Sequence, residues 1–141
     1  MTPISVCIIA RNEEDNIEKC LQPLRKHPFE IVVIDTGSTD KTMELAEKYA
    51  DKVLYFPWCD DFSQARNFSI SHASHDWVLI LDCDEVVKDI DFTGIQNAIE
   101  AYPYAIGQYK EARKFYLKAG NFPMSQERLA NLPITTQNDI T

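Results

Sequence analysis

Three runs of apolar residues without polar alternation organise the chain: I-S-V-C-I-I-A at residues 4–10, E-I-V-V-I-D at 30–35 and W-V-L-I-L at 77–81. A strand with one wet face alternates polar and apolar positions, so these runs predict strands buried on both faces, as in a parallel sheet. Between them the period changes. Ile17, Cys20, Leu21 and Leu24 recur at helical spacing until Pro23, His27 and Pro28 close the element. Met43, Leu45, Ala46, Tyr49 and Ala50 repeat that spacing over about residues 42–50. Ahead of them Gly37 permits a tight turn, and Ser38, Thr39 and Asp40 offer oxygens for a helix N-cap. A short strand over 53–56 leads to a third helix near 62–73, with Phe62, Ala65 and Phe68 or Ser69 on one face. The resulting order, βαβαβαβ, is a Rossmann-like nucleotide-binding pattern with helices flanking a mainly parallel sheet.

The pattern changes after residue 87. Ile95, Ala98 and Ile99 predict a helix over 92–101 that Pro103 ends or kinks. Gly107, Tyr109, Ala112, Tyr116 and Ala119, with Pro123 beyond, resemble the second helix of a tetratricopeptide repeat. Residues 129–141 show no period and read as a loose tail. The expected organisation is therefore a nucleotide-binding half over 1–90, a helical segment over 91–123 able to meet a protein partner, and an irregular tail over 124–141.

Chemistry gathers where the predicted strands end. The strand at 77–81 stops on Asp82 and Asp84, one residue apart, with Glu85 next. Ligands of open α/β sheets bind at the carboxyl ends of strands. Carboxylates this close repel each other unless a hard divalent cation such as Mg²⁺ or Mn²⁺ shares them; the plainer alternative is a polar turn that merely ends a strand. The strand at 30–35 ends in D-T-G-S, which sets hydroxyls, backbone N–H groups and a carboxylate beside one ligand space. Arg66 sits near a helix start, where the dipole disfavours positive charge, so a phosphate or a strand-end carboxylate would compensate it. His72 and His75 read as surface residues.

Charge and cysteines narrow the class. Lys and Arg number 14 against 22 Asp and Glu, a net charge of −8. That sign argues against nucleic-acid or anionic-membrane binding through bulk charge, yet permits a phosphorylated ligand bridged by a cation. No apolar run approaches the roughly 18 residues of a membrane span. Cys7, Cys20, Cys59 and Cys83 show no C-x-x-C spacing and read as reduced thiols, which places the chain in the cytoplasm.

Taken in order, I-S-V-C-I-I-A-R-N-E-E-D-N-I-E-K-C-L, I-V-V-I-D-T-G-S-T-D-K-T, D-D-F-S-Q-A-R-N and W-V-L-I-L-D-C-D-E resemble the nucleotide-sugar-binding half of a family 2 glycosyltransferase of GT-A fold, over about residues 3–88. The resemblance implies inverting transfer from a nucleotide-diphosphate sugar, foremost a UDP-sugar, with a divalent cation. It points toward bacterial members that build surface glycans, several of which carry tetratricopeptide repeats. It implies that Ala10, Arg11, Asn12 and Glu13 line the nucleoside site, that Asp35, Thr36 and Gly37 lie beside the base or ribose, and that Arg66 lies near the donor. Asp82 and Asp84 match the D-x-D motif, Asp84 as metal ligand and Asp82 toward ribose or metal. Many relatives carry a second aspartate where this chain has Thr36, which removes one acceptor for a uracil ring. Nothing after Val87 matches the acceptor-binding half, so the catalytic base is not assigned. Two alternatives stand beside this reading. One is a haloacid-dehalogenase-like phosphatase with Asp82 as nucleophile and Asp84 as acid/base; the other is a non-catalytic nucleotide- or protein-binding module.

Overall fold

The structure, a computed structural model, describes residues 3–83, 87–90, 92–101, 106–109, 113–117, 129–131 and 134–136. Strands β1 (Ile4–Ala10), β2 (Phe29–Asp35), β3 (Lys52–Tyr55) and β4 (Trp77–Asp82) pair in parallel in the order β3-β2-β1-β4. The three apolar runs thus become β1, β2 and β4, the inner strands, while the shorter β3 takes the edge. Helices α1 (Ile17–Leu21), α2 (Thr42–Ala46) and α3 (Phe62–His72) connect them. A 3₁₀ segment, Gln22–Lys26, prolongs α1 and carries Pro23 near its start, where a missing N–H costs little. Beyond α2 the predicted stripe continues in turns, with the Tyr49 and Ala50 amides donating to Ala46.

Two cores follow from strand alternation. On one face Val6, Ile8, Ile31, Val33, Leu79 and Leu81 pack with Ile17, Leu21 and Leu24, with Ala46, and with Ile95 and Ile99 of α4 (Phe92–Ala101). On the other Cys7, Val32, Ile34, Val78 and Ile80 meet Phe68, Ile70 and Ala73 at α3. Both faces being covered explains why the strands lack polar alternation. Ile8 and Leu79 are fully buried, and truncating either to alanine is expected to cost about 2–5 kcal/mol.

The carboxyl-terminal third departs from the sequence reading. β4 pairs antiparallel with β7 (Arg113–Leu117), β7 with β6 (Ile106–Tyr109), and β6 runs parallel to β8 (Leu129–Asn131). A separate ladder joins β5 (Val87–Ile90) to β9 (Ile134–Thr136). The helix over 92–101 forms, but the tetratricopeptide-like helix does not: Gly107, Tyr109 and Tyr116 lie in strands, and Ala112, Ala119 and Pro123 lie outside the described residues. The tail expected over 124–141 likewise carries β8 and β9. The physical reason lies in β4, whose edge away from β1 would otherwise expose its backbone N–H and C=O groups. Phe115, Tyr116 and Leu117 supply the partner, opposite Leu79, Val78 and Trp77. A protein partner docking on helices after α4 therefore loses its basis. Among the described residues no helix is long and apolar enough to cross a membrane.

Candidate functional site

The parallel register brings the polar strand ends to one edge of the sheet. Ala10 at the end of β1 stands opposite Asp35 of β2, and Ile9 stands opposite Asp82 of β4. Asp35 in turn pairs with Tyr55 at the end of β3. Asp82 is thus fixed by its backbone at the carboxyl edge, beside the start of the Arg11–Asn12–Glu13 turn, while Asp84 and Glu85 lie outside the described residues. Among the described residues no group of three His, Cys, Asp or Glu side chains gathers as a metal cluster.

The turns after β1 and β2 are laced together. The Thr36 amide donates to the Ala10 carbonyl at 3.1 Å, which carries the sheet one step past β2. The Asn12 amide donates to Ser38 Oγ at 2.9 Å and the Glu13 amide to Thr42 Oγ1 at 2.8 Å. In return the Thr39 amide donates to Asn12 Oδ1 at 2.8 Å, and the Lys41 amide to Glu14 Oε2 at 3.2 Å. Asn12 has φ of 52°, the left-handed region that asparagine tolerates better than most residues. Asp40 accepts the Thr42 amide at 3.0 Å and the Thr42 hydroxyl. That hydroxyl, ahead of the opposing desolvation, holds the Asp40 carboxyl below its usual range. The N-cap of α2 is Lys41, without a side-chain cap bond: of the oxygens expected to cap the helix only Asp40 reaches its first amide, while Ser38 and Thr39 bond Asn12 of the β1 turn.

Asp35 is the centre of this lacing. It is 1% exposed. One carboxylate oxygen accepts the amides of Gly37 at 3.2 Å and Ser38 at 3.1 Å, and the other accepts the Ser38 hydroxyl. Gly37 has φ of 122°, a conformation open to glycine and strained for other residues. The carboxylate is therefore turned onto its own turn. Arg11 and Asn12 remain exposed above it, with Glu13 and Gly37 partly so.

On the opposite face of the sheet, α3 starts at Asp61, whose carboxylate accepts the Ser63 amide at 2.8 Å and Gln64 Nε2 at 3.3 Å. The Ser63 bond is that of an Asp N-cap, a residue type the sequence offered at this helix start. The Cys7 thiol donates to the Ser69 carbonyl at 3.6 Å, which fixes α3 against the middle of β1. As the connection from β3 to β4, both parallel, α3 runs back from the carboxyl edge, and Arg66 lies one turn nearer that edge than Ser69. Arg66 Nε is buried and has no hydrogen-bond partner among the described residues. An unmet buried donor costs about 1–3 kcal/mol, more when charged, so an acceptor reaching this atom would be stabilising. His72 lies elsewhere: its Nδ1 sits 2.9 Å from the Phe68 carbonyl on the exposed end of α3.

Comparison with known proteins adds three findings. A profile of the family described as Glycosyl transferase family 2 matches residues 5–137. The chain is 42% identical to a TPR repeat-containing protein of Synechococcus elongatus over 60% of this chain and 21% of that one. It is 35% identical to the lipopolysaccharide core biosynthesis glycosyltransferase LpsC of Rhizobium meliloti over 92% of this chain and 49% of LpsC. It thus spans from about a fifth to about half the length of these curated relatives. In structure it is similar to S. aureus TarS 1-349, with TM-score 0.76 and 20% identity over 93% of this chain and 58% of that chain. TarS solved in complex with UDP-GlcNAc aligns with TM-score 0.73 at 21% identity, over 84% of this chain and 46% of that chain. The mannosyltransferase PcManGT of Pyrobaculum calidifontis, solved with GDP-Man and Mn²⁺, aligns with TM-score 0.63 at 23% identity, over 77% of this chain and 35% of that one.

Proposed function

Because this chain belongs to glycosyl transferase family 2 and has a Rossmann-like GT-A fold, we propose that it binds a nucleotide-diphosphate sugar and serves inverting transfer of that sugar to an acceptor hydroxyl. The observation that carries the reading is that Ala10, Asp35 and Asp82 end adjacent parallel strands at one edge. In this reading the donor lies across that edge. Arg11, Asn12, Glu13, Thr36 and Gly37 form its nucleoside side, and Arg66 and Asp82 its diphosphate side. The donor set suits a hard cation, since Asp82 and Asp84 offer oxygen ligands, and the buried, unmet Nε of Arg66 on α3 supports a place for anionic oxygens. A divalent cation held there supplies positive charge to the departing diphosphate.

What the chain's own residues do follows from leaving-group chemistry. Breaking the sugar–phosphate bond leaves negative charge on the diphosphate, and the Arg66 guanidinium can stabilise it by donating charge-assisted hydrogen bonds. The base that takes the acceptor proton belongs to the acceptor side and has no candidate among the described residues. The relatives' names support a surface-glycan product, and TarS with UDP-GlcNAc and PcManGT with Mn²⁺ support a UDP-sugar and Mn²⁺ as first trials. Cys7, Cys20 and Cys83 are buried thiols, which suits a reducing cytoplasm.

The test is thermal stability with uridine diphosphate, guanosine diphosphate and Mn²⁺, singly and together. A ligand that binds only the folded state at a hundred times its Kd adds about 2.7 kcal/mol. Stabilisation by a nucleoside diphosphate that grows with Mn²⁺ is expected, and Asp84→Asn should remove the metal-dependent part with the fold intact. A protein unmoved by either nucleotide, with or without metal, ends the proposal.

A further inference from the structure

The turn network separates two roles that the strand-end aspartate could have. A residue that binds the nucleoside must present unmet donors or acceptors toward it. Asp35 does not: it is 1% exposed, and both oxygens are engaged by Gly37 and Ser38. What it holds matters more. The Ser38 hydroxyl has one hydrogen to give, and it gives it to Asp35, which leaves its lone pairs toward the Asn12 amide at 2.9 Å. Asn12 then returns its own Oδ1 to the Thr39 amide and hydroxyl at 2.8 and 3.4 Å. The partners stand 26 or 27 residues apart. Asp35, Ser38, Asn12 and Thr39 thus form one closed chain of bonds that clamps the β1 turn in the left-handed conformation of Asn12.

We infer that Asp35 and Ser38 are positioning residues that act on the donor through Asn12, by fixing the backbone of the Arg11–Asn12 turn. This rests on the donor-binding reading above and deepens it. It assigns the nucleoside contacts to the exposed members of the turn and makes the β2 aspartate their support. The bond order has a consequence for chemistry: Ser38 must donate to Asp35 in order to be oriented toward Asn12. An amide at position 35 can turn its own donor toward Ser38 and release that orientation.

Two measurements test this on the same proteins: wild type, Asp35→Asn, Ser38→Ala, Ser38→Thr and the Asp35→Asn/Ser38→Ala double variant. Amide hydrogen exchange of the ligand-free proteins reads the clamp without any nucleotide. The Asn12 and Thr39 amides should exchange at least about tenfold faster in Asp35→Asn and Ser38→Ala, while strand amides such as Cys7 and Val33 keep their protection. Calorimetry with uridine diphosphate and Mn²⁺ reads the consequence. Affinity should fall about 5–20-fold in each single variant, the size of one lost hydrogen bond. The double variant should be no worse than the weaker single, and Ser38→Thr, which keeps the hydroxyl, should stay within about threefold of wild type. If Asp35→Asn weakens the nucleotide while Asn12 stays protected, Asp35 touches the ligand and the inference is wrong. Wild-type binding with an equally tight Ser38→Ala overturns the clamp alone. Wild type that binds no nucleotide overturns the donor reading and, with it, the positioning role.

Discussion

The two faces of the sheet meet the carboxyl edge in opposite states. On the face covered by α1 and α2, the buried Asp35 has its oxygens engaged by its own turn. On the face covered by α3, Arg66 has a buried nitrogen with no partner among the described residues. A satisfied buried group contributes to the free protein, and an unsatisfied one taxes it until a ligand arrives. In the proposed donor complex the first side would be built before the ligand and the second completed by it. Shape at the nucleoside end and affinity at the diphosphate end should then respond to different substitutions.

The largest separation is expected at Arg66. Arg66→Met keeps the aliphatic stem and removes the unmet donor, so the ligand-free protein should lose no stability and gain up to about 1 kcal/mol. The same change should weaken uridine diphosphate about 10–100-fold, because a charge-assisted bond to a phosphate is worth about 1.5–3 kcal/mol. Chemical denaturation and calorimetry on one preparation give both numbers. If Arg66→Met is destabilised by 2 kcal/mol or more, in the range typical of broken buried networks, the guanidinium is structural and the contrast between the faces collapses.

The legible part of the molecule was the part whose residues answer to local pattern. β1, β2 and β4 could be read from runs such as I-V-V-I-D because burial on both faces leaves no polar position. The clamp was not legible, since Asn12 and Ser38 look like ordinary turn and cap residues until the register of β1 on β2 sets them side by side. The stretch after α4 failed for a related reason. Y-K-E-A-R-K-F-Y-L is rich in helix formers, but the open edge of β4 decides its state, and tertiary pairing overrides propensity. The D-x-D pair is split the same way: Asp82 has a register position, and Asp84 rests on the resemblance.

At the amino edge of the sheet a second, partly buried carboxylate offers a control for the clamp. Glu30 accepts the Ser5 hydroxyl and the Ser74 amide, each at 2.8 Å, and lies 3.4 Å from Lys52 Nζ. Burial pushes its pKa up, yet the bonds from Ser74 and Ser5 and the charge of Lys52 outweigh it and bring the carboxyl down to about 2. A folded pKa below the unfolded one gives stability that is present above about pH 4.5 and lost as pH falls through about 2. Glu30→Gln should cost about 1–2 kcal/mol at pH 7, allowing for solvent screening, and flatten the acid limb of the stability curve. Uridine diphosphate affinity should stay within about twofold, since this cluster lies at the far end of the strands. A loss of nucleotide affinity as large as that of Asp35→Asn would mean the two edges are not independent.

The smallest effect expected is at Arg25 and Asp51, and its asymmetry is informative. The pair meets at 3.0 Å with both side chains more than a third exposed, so the ion pair itself should be worth well under 1 kcal/mol. Asp51 has a second duty, because the same oxygen accepts the Ile31 amide of β2 at 2.7 Å. Arg25 Nη2 also donates to the Phe29 carbonyl at 2.6 Å, an acceptor that water can reach once the side chain is gone, so Arg25→Met should cost about 0.5–1 kcal/mol of stability, while Asp51→Ala, which strands the Ile31 amide at the start of an inner strand, should cost about 1–2 kcal/mol. Equal losses would assign the stability to the charge pair, and raising the salt should then erase both. Unequal losses that persist in salt assign it to the backbone bond, the same kind of carboxylate-to-amide tie that Asp35 makes at the other edge.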